Sequence, residues 1–256
     1  MPEDRDRERL RETFGSVAEL YDRSRPTYPA AVFDELAELA RLEPGSRVLE
    51  IGPGTGQATA ELARRGYTVT GIELSPDLAE IARRNVPQCE IEVGDFENWE
   101  PREADFDAVV AFTAFHWIAP ELRYAKPARL LRPGGALAVV QTHHVLNDDP
   151  FWFESQADYD AVVPSPGNGP PPPIEDEAWL ELDSTLFPTL KQRRYPDEKV
   201  YSPDEYIALL ATYSNHIALA SEQREELFRR LRARVAAQGS VRKGFVYELT
   251  VGYRPR

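Results

Sequence analysis

Residues 47–73 read RVLEIGPGTGQATAELARRGYTVTGIE, and this stretch predicts the architecture of the chain. It contains two short apolar runs, RVLEI and TVTGIE, which are typical of buried strands. Residues 57–65 between them have a helical pattern, and Gly66 follows where a glycine commonly ends a helix. A strand, a helix and a second strand at this spacing predict a right-handed crossover and a parallel sheet with helices on its faces.

The same alternation extends in both directions from this stretch. Ser75 and Pro76 predict the start of a helix, because serine caps a first turn and proline is well placed in it. Residues 132–135, RPGG, predict a turn into a fifth strand. The further elements predicted in this half are helices at 30–42, 76–85 and 122–131 and strands at 90–94, 106–112 and 136–141.

The pattern changes after His144. Residues 145–176 include PSPGNGPPPP, which cannot form a helix or a central strand, so we expect a linker or a mobile loop there. Ser202 and Glu205 then predict a capping box that begins a helix. The other elements expected in this half are a strand within 187–201, a helix at 221–238 and a closing strand at 241–253.

The composition restricts the class of protein. A chain of 256 residues with 42% hydrophobic residues fits one large globular domain or a core with a cap. Its net charge of −13 argues against a nucleic-acid surface. The single cysteine, Cys89, allows no internal disulfide and has no neighbours at metal-ligand spacing, so no metal site is predicted. Without an apolar run of membrane length or a signal-peptide pattern, we expect a soluble cytoplasmic protein with no membrane partner.

The loop after the first predicted strand is the most informative part of the sequence. Its glycines, Gly52, Gly54 and Gly56, let the backbone approach a ligand closely, because no Cβ stands in the way. In an open parallel sheet, such a loop lies at the carboxyl ends of the strands, where ligands bind. The dinucleotide fingerprint needs a further glycine at position 57, where this chain has Gln57, so a nicotinamide site is disfavoured.

Acidic residues follow the next two predicted strands. Glu73 ends the second strand, where a carboxylate can accept both hydroxyls of a ribose. Asp95 follows the third strand, where it can accept from an exocyclic amine while Phe96 packs on a base. Together with the glycine loop, these residues predict an adenosine site without a phosphate to neutralise.

At this point the sequence resembles the class I S-adenosylmethionine-dependent methyltransferases. The resemblance covers about residues 14–145, and residues 14–29 are similar to a small-molecule branch that includes trans-aconitate methyltransferase-like proteins. The motifs that carry it are VLEIGPGTGQATAELARRGYTVTGIELSPDLAEIARRN, GDFENW, FDAVVAFTAFHW and LRPGG. The resemblance implies S-adenosylmethionine as cofactor. It also implies an α/β, Rossmann-like, doubly wound and mostly parallel sheet with an antiparallel last strand, beside which we expect a helical cap.

The resemblance also implies roles for individual residues. Glu50 and the glycine backbone would hold the methionine part, Glu73 the ribose, and Asp95 with Phe96 the adenine. Ala111 and Phe112 would lie near the sulfonium. Tyr21 and Arg25 precede the core and are expected to fold over the cofactor. The full predicted cofactor set is Tyr21, Arg25, Glu50, Gly52, Gly54, Gly56, Glu73, Leu74, Asp95, Phe96, Ala111 and Phe112.

We expect one domain, 1–256. Its predicted parts are N-terminal lid helices in 1–42, a cofactor-binding core in 43–145, a cap in 146–238 with a proline-rich loop at 164–173, and a closing strand in 239–256.

The expected reaction is methyl transfer to a carboxylate or hydroxyl oxygen of a small molecule. His116, just past the fourth strand, is the candidate general base; of His143 and His144, alternation lets only one face the pocket. The alternatives are an N- or C-methyltransferase, a nicotinamide-dependent oxidoreductase, and a non-catalytic protein that binds the same cofactor. The sequence leaves the oligomeric state open.

Overall fold

The computed structural model describes residues 17–101, 104–164 and 169–256. A seven-stranded sheet with the order β3-β2-β1-β4-β5-β7-β6 forms its centre. The strands are β1 (Arg47–Ile51), β2 (Thr68–Glu73), β3 (Glu90–Val93), β4 (Phe106–Phe112), β5 (Leu131–Val145), β6 (Thr189–Tyr201) and β7 (Val241–Tyr253). The helices are α1 (Ala18–Ser24), α2 (Ala30–Ala40), α3 (Gln57–Arg64), α4 (Pro76–Asn85), α5 (Pro120–Arg123), α6 (Ala125–Leu130), α7 (Phe151–Glu154), α8 (Gln156–Val162), α9 (Pro203–Leu210), α10 (Ser214–Ile217) and α11 (Ser221–Gln238).

The predicted parallel core is confirmed. β1 pairs in parallel with β2 and β4, and the outer neighbours β3 and β5 are parallel as well. The central strands are buried on both faces, which explains their nearly continuous apolar sequences. The apolar residues of α2 and α3 cover one face of the sheet. Because these strands are parallel, the carboxyl ends of β1, β2 and β4 lie along one edge of the sheet.

The antiparallel closing strand is also confirmed, and the structure supplies its partners. β7 pairs antiparallel with β5 on one side and with the edge strand β6 on the other. The ladder with β5 continues to His144 and Val145, beyond the parallel part of β5. β5 therefore projects past β4, and its last residues lie under the helices that follow.

Two predictions around β5 were wrong. The helix expected at 122–131 is divided into α5 and α6, which meet at Tyr124. The turn expected at 132–135 lies inside β5 as a bulge, since Phe106 pairs with Leu131 but Ala108 pairs with Ala136. Gly134, at a φ of 76°, gives the backbone the bend that such a bulge requires.

The segment expected to be a loop at 145–176 contains α7 and α8, so this prediction was also wrong in part. Asp149 lies two residues before α7, and its carboxylate accepts a hydrogen bond from the backbone N–H of Phe151, the first residue of this helix. Phe151 and Trp152 are buried against Tyr206 of α9. This tertiary packing stabilises helices too short to be stable alone. The later part of the cap begins with α9. The capping box predicted at Ser202 and Glu205 is confirmed at the start of this helix.

Some predictions lie partly outside the described residues. The lid predicted over 1–42 is described only from residue 17, and the proline-rich loop at 164–173 is described without 165–168. Within the described ranges, no helix has the length and apolar character needed to cross a membrane.

Candidate cofactor and acceptor site

A cavity of about 360 Å³ opens at the carboxyl ends of β1, β2 and β4. The sheet contributes the glycine loop, the end of β2 and the end of β4, while the cap contributes the segment around α10. Residues that line it are Tyr21, Arg25, Gly52, Gly54, Glu73, Leu74, Phe96, Glu97, Phe112, Thr113, His116, His144 and Tyr213. The cavity is therefore shared between the predicted core, lid and cap.

The glycine loop forms the floor of the cavity. Gly52 has a φ of 65°, and a Cβ built on it would lie 2.8 Å from the Cβ of Ala114. Gly54 also has a positive φ and lines the cavity. Gly56 does not line it: Gly56 is the N-cap of α3, and its backbone packs against Val86 and Ala82 of α4. Side chains are thus excluded where the backbone meets the cavity.

Glu73 is held by the backbone of two loops. Its Oε2 accepts a hydrogen bond of 2.9 Å from the N–H of Gly54, and its Oε1 accepts one of 2.9 Å from the N–H of Ser75. The side chain is almost fully buried and lines the cavity beside Leu74. A carboxylate oriented in this way has acceptor capacity for the paired hydroxyls of a ribose.

Glu50 lies behind the glycine loop and is only 1% exposed. Its Oε2 accepts a hydrogen bond of 2.7 Å from the hydroxyl of Thr59 on α3. Burial, together with the charge of Glu73, raises the pKa of Glu50 to about 7, although the Thr59 bond opposes this. Glu50 is not among the cavity-lining residues, and its role toward the methionine part stays a prediction.

Asp95 and Phe96 are placed differently from each other. Phe96 lines the cavity, and its ring lies 5.3 Å from the ammonium of Lys126. The Asp95 carboxylate accepts hydrogen bonds from the backbone N–H of Glu97 and the side chain of Asn98, so it also stabilises its own turn. Asp95 is not a lining residue, whereas Glu97 is. The adenine role of Asp95 stays a prediction.

The end of β4 contributes Phe112 and two residues that the sequence did not single out, Thr113 and Ala114. Ala111 is buried in the core one residue earlier. Thr113 has a φ of 56°, which is unusual for a β-branched residue and marks local strain. Its hydroxyl lies 3.0 Å from Tyr28 Oη and 2.9 Å from Thr142 Oγ1. Sequence patterns carry no signal for such a backbone conformation.

Arg25 joins the N-terminal segment to the cap. Its Nε and Nη2 donate to the hydroxyl and the carbonyl of Thr212, at 2.9 and 2.8 Å. The guanidinium also lies against the rings of Tyr21 and Tyr213, 4.8 and 4.5 Å from their centroids. These contacts place Tyr21 and Arg25 at the cavity, next to the glycine loop.

His143 and His144 lie on opposite faces of the sheet, as strand alternation predicts. His144 lines the cavity, whereas His143 is on the other face of the sheet, with its ring nitrogens 3.6 Å from carboxylate oxygens of Glu177 and Glu248. His116 also lines the cavity. His116 is exposed to solvent, and partial desolvation of its ring, with the charge of Arg123, lowers its pKa to about 4. His116 is therefore a neutral imidazole at pH 7.

The cavity fits S-adenosylmethionine on three observations. The floor is a backbone cradle at Gly52, which a Cβ would fill. Glu73 provides an oriented, buried carboxylate at the position expected for a ribose. Leu74 and Phe96 provide apolar surfaces beside it. The chemistry of these groups matches a nucleoside that carries no phosphate.

Comparisons with known proteins agree with this geometry. A methyltransferase domain model matches residues 48–135. An uncharacterized methyltransferase of Mycobacterium tuberculosis is 28% identical over 224 residues, which are 88% of this chain and 86% of the relative. Trans-aconitate 2-methyltransferase of Shigella dysenteriae is 31% identical over 146 residues, or 54% and 55% of the two chains.

The fold has solved counterparts. A candidate type II methyltransferase from Anaeromyxobacter dehalogenans superimposes with a TM-score of 0.61 at 23% identity, over 91% of this chain and 99% of that one. The fold, the glycine cradle and the matched domain agree with one another. The matched domain and the relatives, together with the fold, support a class I S-adenosylmethionine-dependent methyltransferase.

Proposed function

We propose that this enzyme methylates a carboxylate or hydroxyl oxygen of a small molecule. The observation that carries the proposal is the cavity itself: about 360 Å³ are bounded by the glycine loop on one side and by Tyr213, Ser214 and Asn215 of the cap on the other. A cavity of this size that is bounded by the core on one side and by the cap on the other suits a small acceptor. The net charge of −13 disfavours a nucleic-acid acceptor.

The chain's part in the reaction is to position the acceptor and to exclude water. The cofactor supplies a methyl group that its sulfonium already activates. Methyl transfer is an in-line displacement, so alignment by the surrounding residues lowers the barrier without a dedicated catalytic group. Arg25 holds the cap at Thr212 over the cavity, and this contact supports the exclusion of water.

The character of His116 favours a carboxylate over an alcohol as acceptor. A carboxylate is already a nucleophile at pH 7, whereas an alcohol must lose a proton. The lowered pKa of the exposed His116 imidazole, about 4, makes it a weak base for an alcohol. The Shigella dysenteriae relative is named for trans-aconitate, which is a carboxylic acid. This name supports the same choice.

The proposal includes the organisation of the chain. The described residues of the lid in 1–42, the core in 43–145, the cap in 146–238 and the closing strand in 239–256 act as one domain around the cavity. A cytoplasmic location, expected from the composition, stays a prediction. N- or C-methylation of a small molecule is the alternative within the same class. A protein that retains the cofactor pocket without turnover is the alternative outside it.

A screen of labelled methyl transfer onto carboxylic acids, phenols, alcohols and amines tests the proposal. We expect transfer to at least one acid or hydroxyl compound and a base-labile labelled product if the product is an ester. Transfer only to amines or carbon acids contradicts the oxygen acceptor. Calorimetry with S-adenosylhomocysteine, against NAD as control, is run in parallel; cofactor binding without any turnover across the screen supports the non-catalytic alternative. His116→Ala should leave turnover of a carboxylate within about twofold, because no base is needed.

A further inference from the structure

The structure buries a lysine on the cap side of the sheet. Lys243 of β7 is 4% exposed, and its ammonium lies 4.7 Å from the ring centroid of Trp152 and 5.6 Å from that of Phe245. Within the described residues it has no carboxylate partner. Burying an unpaired charge is costly, so such a group is retained where a partner is supplied from elsewhere.

The charged group that acts on Lys243 is another positively charged side chain, that of Arg25. Burial, together with the positive charge of Arg25, lowers the pKa of Lys243 to about 7. The guanidinium of Arg25 bonds to the oxygens of Thr212 and packs on two rings, with no acidic partner among the described residues. Arg25 lines the cavity and Lys243 does not, and neither has a carboxylate partner among the described residues.

Three polar atoms in the same region also lack hydrogen-bond partners in the described structure. They are His144 Nδ1, Tyr201 Oη and Tyr213 Oη, and all are buried from solvent. The ring of His144 lies 5.3 Å from that of Tyr213 and 5.4 Å from that of Phe245. Contacts thus run continuously from Lys243 through Phe245, His144 and Tyr213 to Arg25. Buried polar groups are normally satisfied, so their grouping with Arg25 and Lys243 points to an anionic ligand. Arg25 also belongs to the predicted cofactor set, so an anion other than the cofactor's carboxylate is sought with S-adenosylhomocysteine bound.

We call Arg25, His144, Tyr201, Tyr213 and Lys243 the cationic wall. Its separation from the end of β4 matters for the acceptor. His144 is two residues past Thr142 on β5, and Thr142 Oγ1 lies 2.9 Å from Thr113 Oγ1. At about 3.3 Å per residue, His144 is roughly 7 Å beyond Thr142 along β5 and roughly 13 Å beyond Val140, which pairs with Phe112 at the end of β4, where the methyl group is expected.

We propose that the acceptor carries a carboxylate, distinct from its reacting oxygen, that binds at the cationic wall. This inference rests on the proposed function and adds a substrate class: organic acids that carry an oxygen nucleophile in addition to the anchoring carboxylate. Arg25, His144 and Tyr213 line the cavity, and Lys243 contributes a positive charge from behind Phe245. The hydroxyl of Tyr213, which lines the cavity, is a donor suited to the anion, whereas Tyr201 is not among the lining residues.

The test uses the full chain saturated with S-adenosylhomocysteine and simple probes. Glutarate and adipate carry two carboxylates, and glutaramide and adipamide are their neutral counterparts of the same length. We expect at least one of the two acids to bind, by calorimetry at constant ionic strength, at least about tenfold more tightly than its diamide, because only the acid pairs with the wall. Equal binding of acids and diamides, or no binding by either acid, overturns the proposal.

Variants then assign the binding to the wall. Lys243→Met should weaken binding of the acid about tenfold, while Lys191→Met, an exposed lysine of β6, should leave it unchanged. Tyr213→Phe removes one hydroxyl but keeps the ring, and should weaken binding about threefold to tenfold. This second variant preserves the test if Lys243→Met does not fold. Acid affinity that neither variant changes overturns the assignment.

Failure of this inference is distinguishable from failure of the proposed function. The affinity for S-adenosylhomocysteine and the labelled-methyl screen are measured without the probes. Transfer to acceptors that lack a carboxylate, at rates equal to those for acids, supports the proposed function and contradicts the cationic wall as a specificity site.

Discussion

The carboxylate of Glu73 at the end of β2 accepts a 2.9 Å hydrogen bond from the backbone N–H of Gly54 in the loop after β1. This bond joins two successive crossovers at the edge of the sheet. It orients the acidic side chain toward the cavity and holds the glycine loop against β2. The two strongest signals in the sequence, the glycines and the acid after the second strand, are therefore parts of one hydrogen-bonded unit.

Glu73→Gln should weaken binding of S-adenosylhomocysteine at least about tenfold. The amide keeps the size of the side chain but loses the charge and one acceptor oxygen, and charge-assisted hydrogen bonds are the stronger ones. Isothermal calorimetry measures the change. Glu80→Gln, on the exposed surface of α4, is the matched control and should bind as the wild type does. Equal affinities for the wild type and Glu73→Gln would mean that Glu73 does not contact the ribose.

Gly52→Ala should abolish cofactor binding, whereas Gly45→Ala should preserve it. Both glycines have positive φ, 65° and 91°, so either alanine costs about 1–2 kcal/mol of stability. Only at Gly52 does the new Cβ meet a neighbour, at 2.8 Å from Ala114, while at Gly45 nothing lies within 4 Å. Chemical denaturation should show a larger loss for Gly52→Ala, because its Cβ also collides with Ala114, but the variant should still fold. If Gly52→Ala retains cofactor affinity, the loop does not approach the ligand closely.

Glu50 should make stability fall as pH rises. Its pKa in the folded chain is about 7, against 4.5 for the ordinary side chain, so folding favours the protonated form. Stability from this group is complete below pH 4.5 and is lost as pH rises to 7, a change of about 3 kcal/mol. Glu50→Gln remains neutral and lacks this dependence.

The measurement for Glu50 is urea unfolding from pH 4.5 to 8 on the wild type and on Glu50→Gln. The difference between the two free energies of unfolding isolates this group from histidines that titrate in the same range. Glu80→Gln corrects for the carboxylate-to-amide change at the surface. A pH-independent difference would show that the Glu50 carboxyl is ordinary.

Thr113→Val should destabilise the fold by about 1–3 kcal/mol, because it leaves the hydroxyls of Tyr28 and Thr142 without their shared partner. Thr113→Ser keeps the hydroxyl and removes the branch at a residue with a φ of 56°, so it should be as stable as the wild type. Denaturant unfolding distinguishes the two. Equal stability of the Val and Ser variants would contradict a structural role for the hydroxyl.

Much of the sheet was predictable because its signals are local. The strands at 47–51, 68–73, 106–112 and 241–253 match β1, β2, β4 and β7. Their apolar composition and the turn residues around them are sufficient for this. The capping box at Ser202 was predictable for the same reason, since its partners are three residues apart.

Structure around β5 and the cap was less predictable. α7 and α8 exist because Phe151 and Trp152 pack against Tyr206, more than fifty residues away in the chain. The bulge in β5 depends on pairing with β4 and was read as a turn. Local propensity carries no information about packing partners that are distant in the sequence.

The sequence by itself determined the parallel core, the glycine loop and the carboxylate of Glu73, since strand periodicity and loop composition are local properties. Only the tertiary structure decided which residues complete the cavity. It brought Arg25 to Thr212, aimed His144 rather than His143 at the cavity, and buried Lys243 without a carboxylate partner among the described residues. These relationships join residues as far as 187 positions apart, and long-range packing alone brings such residues together.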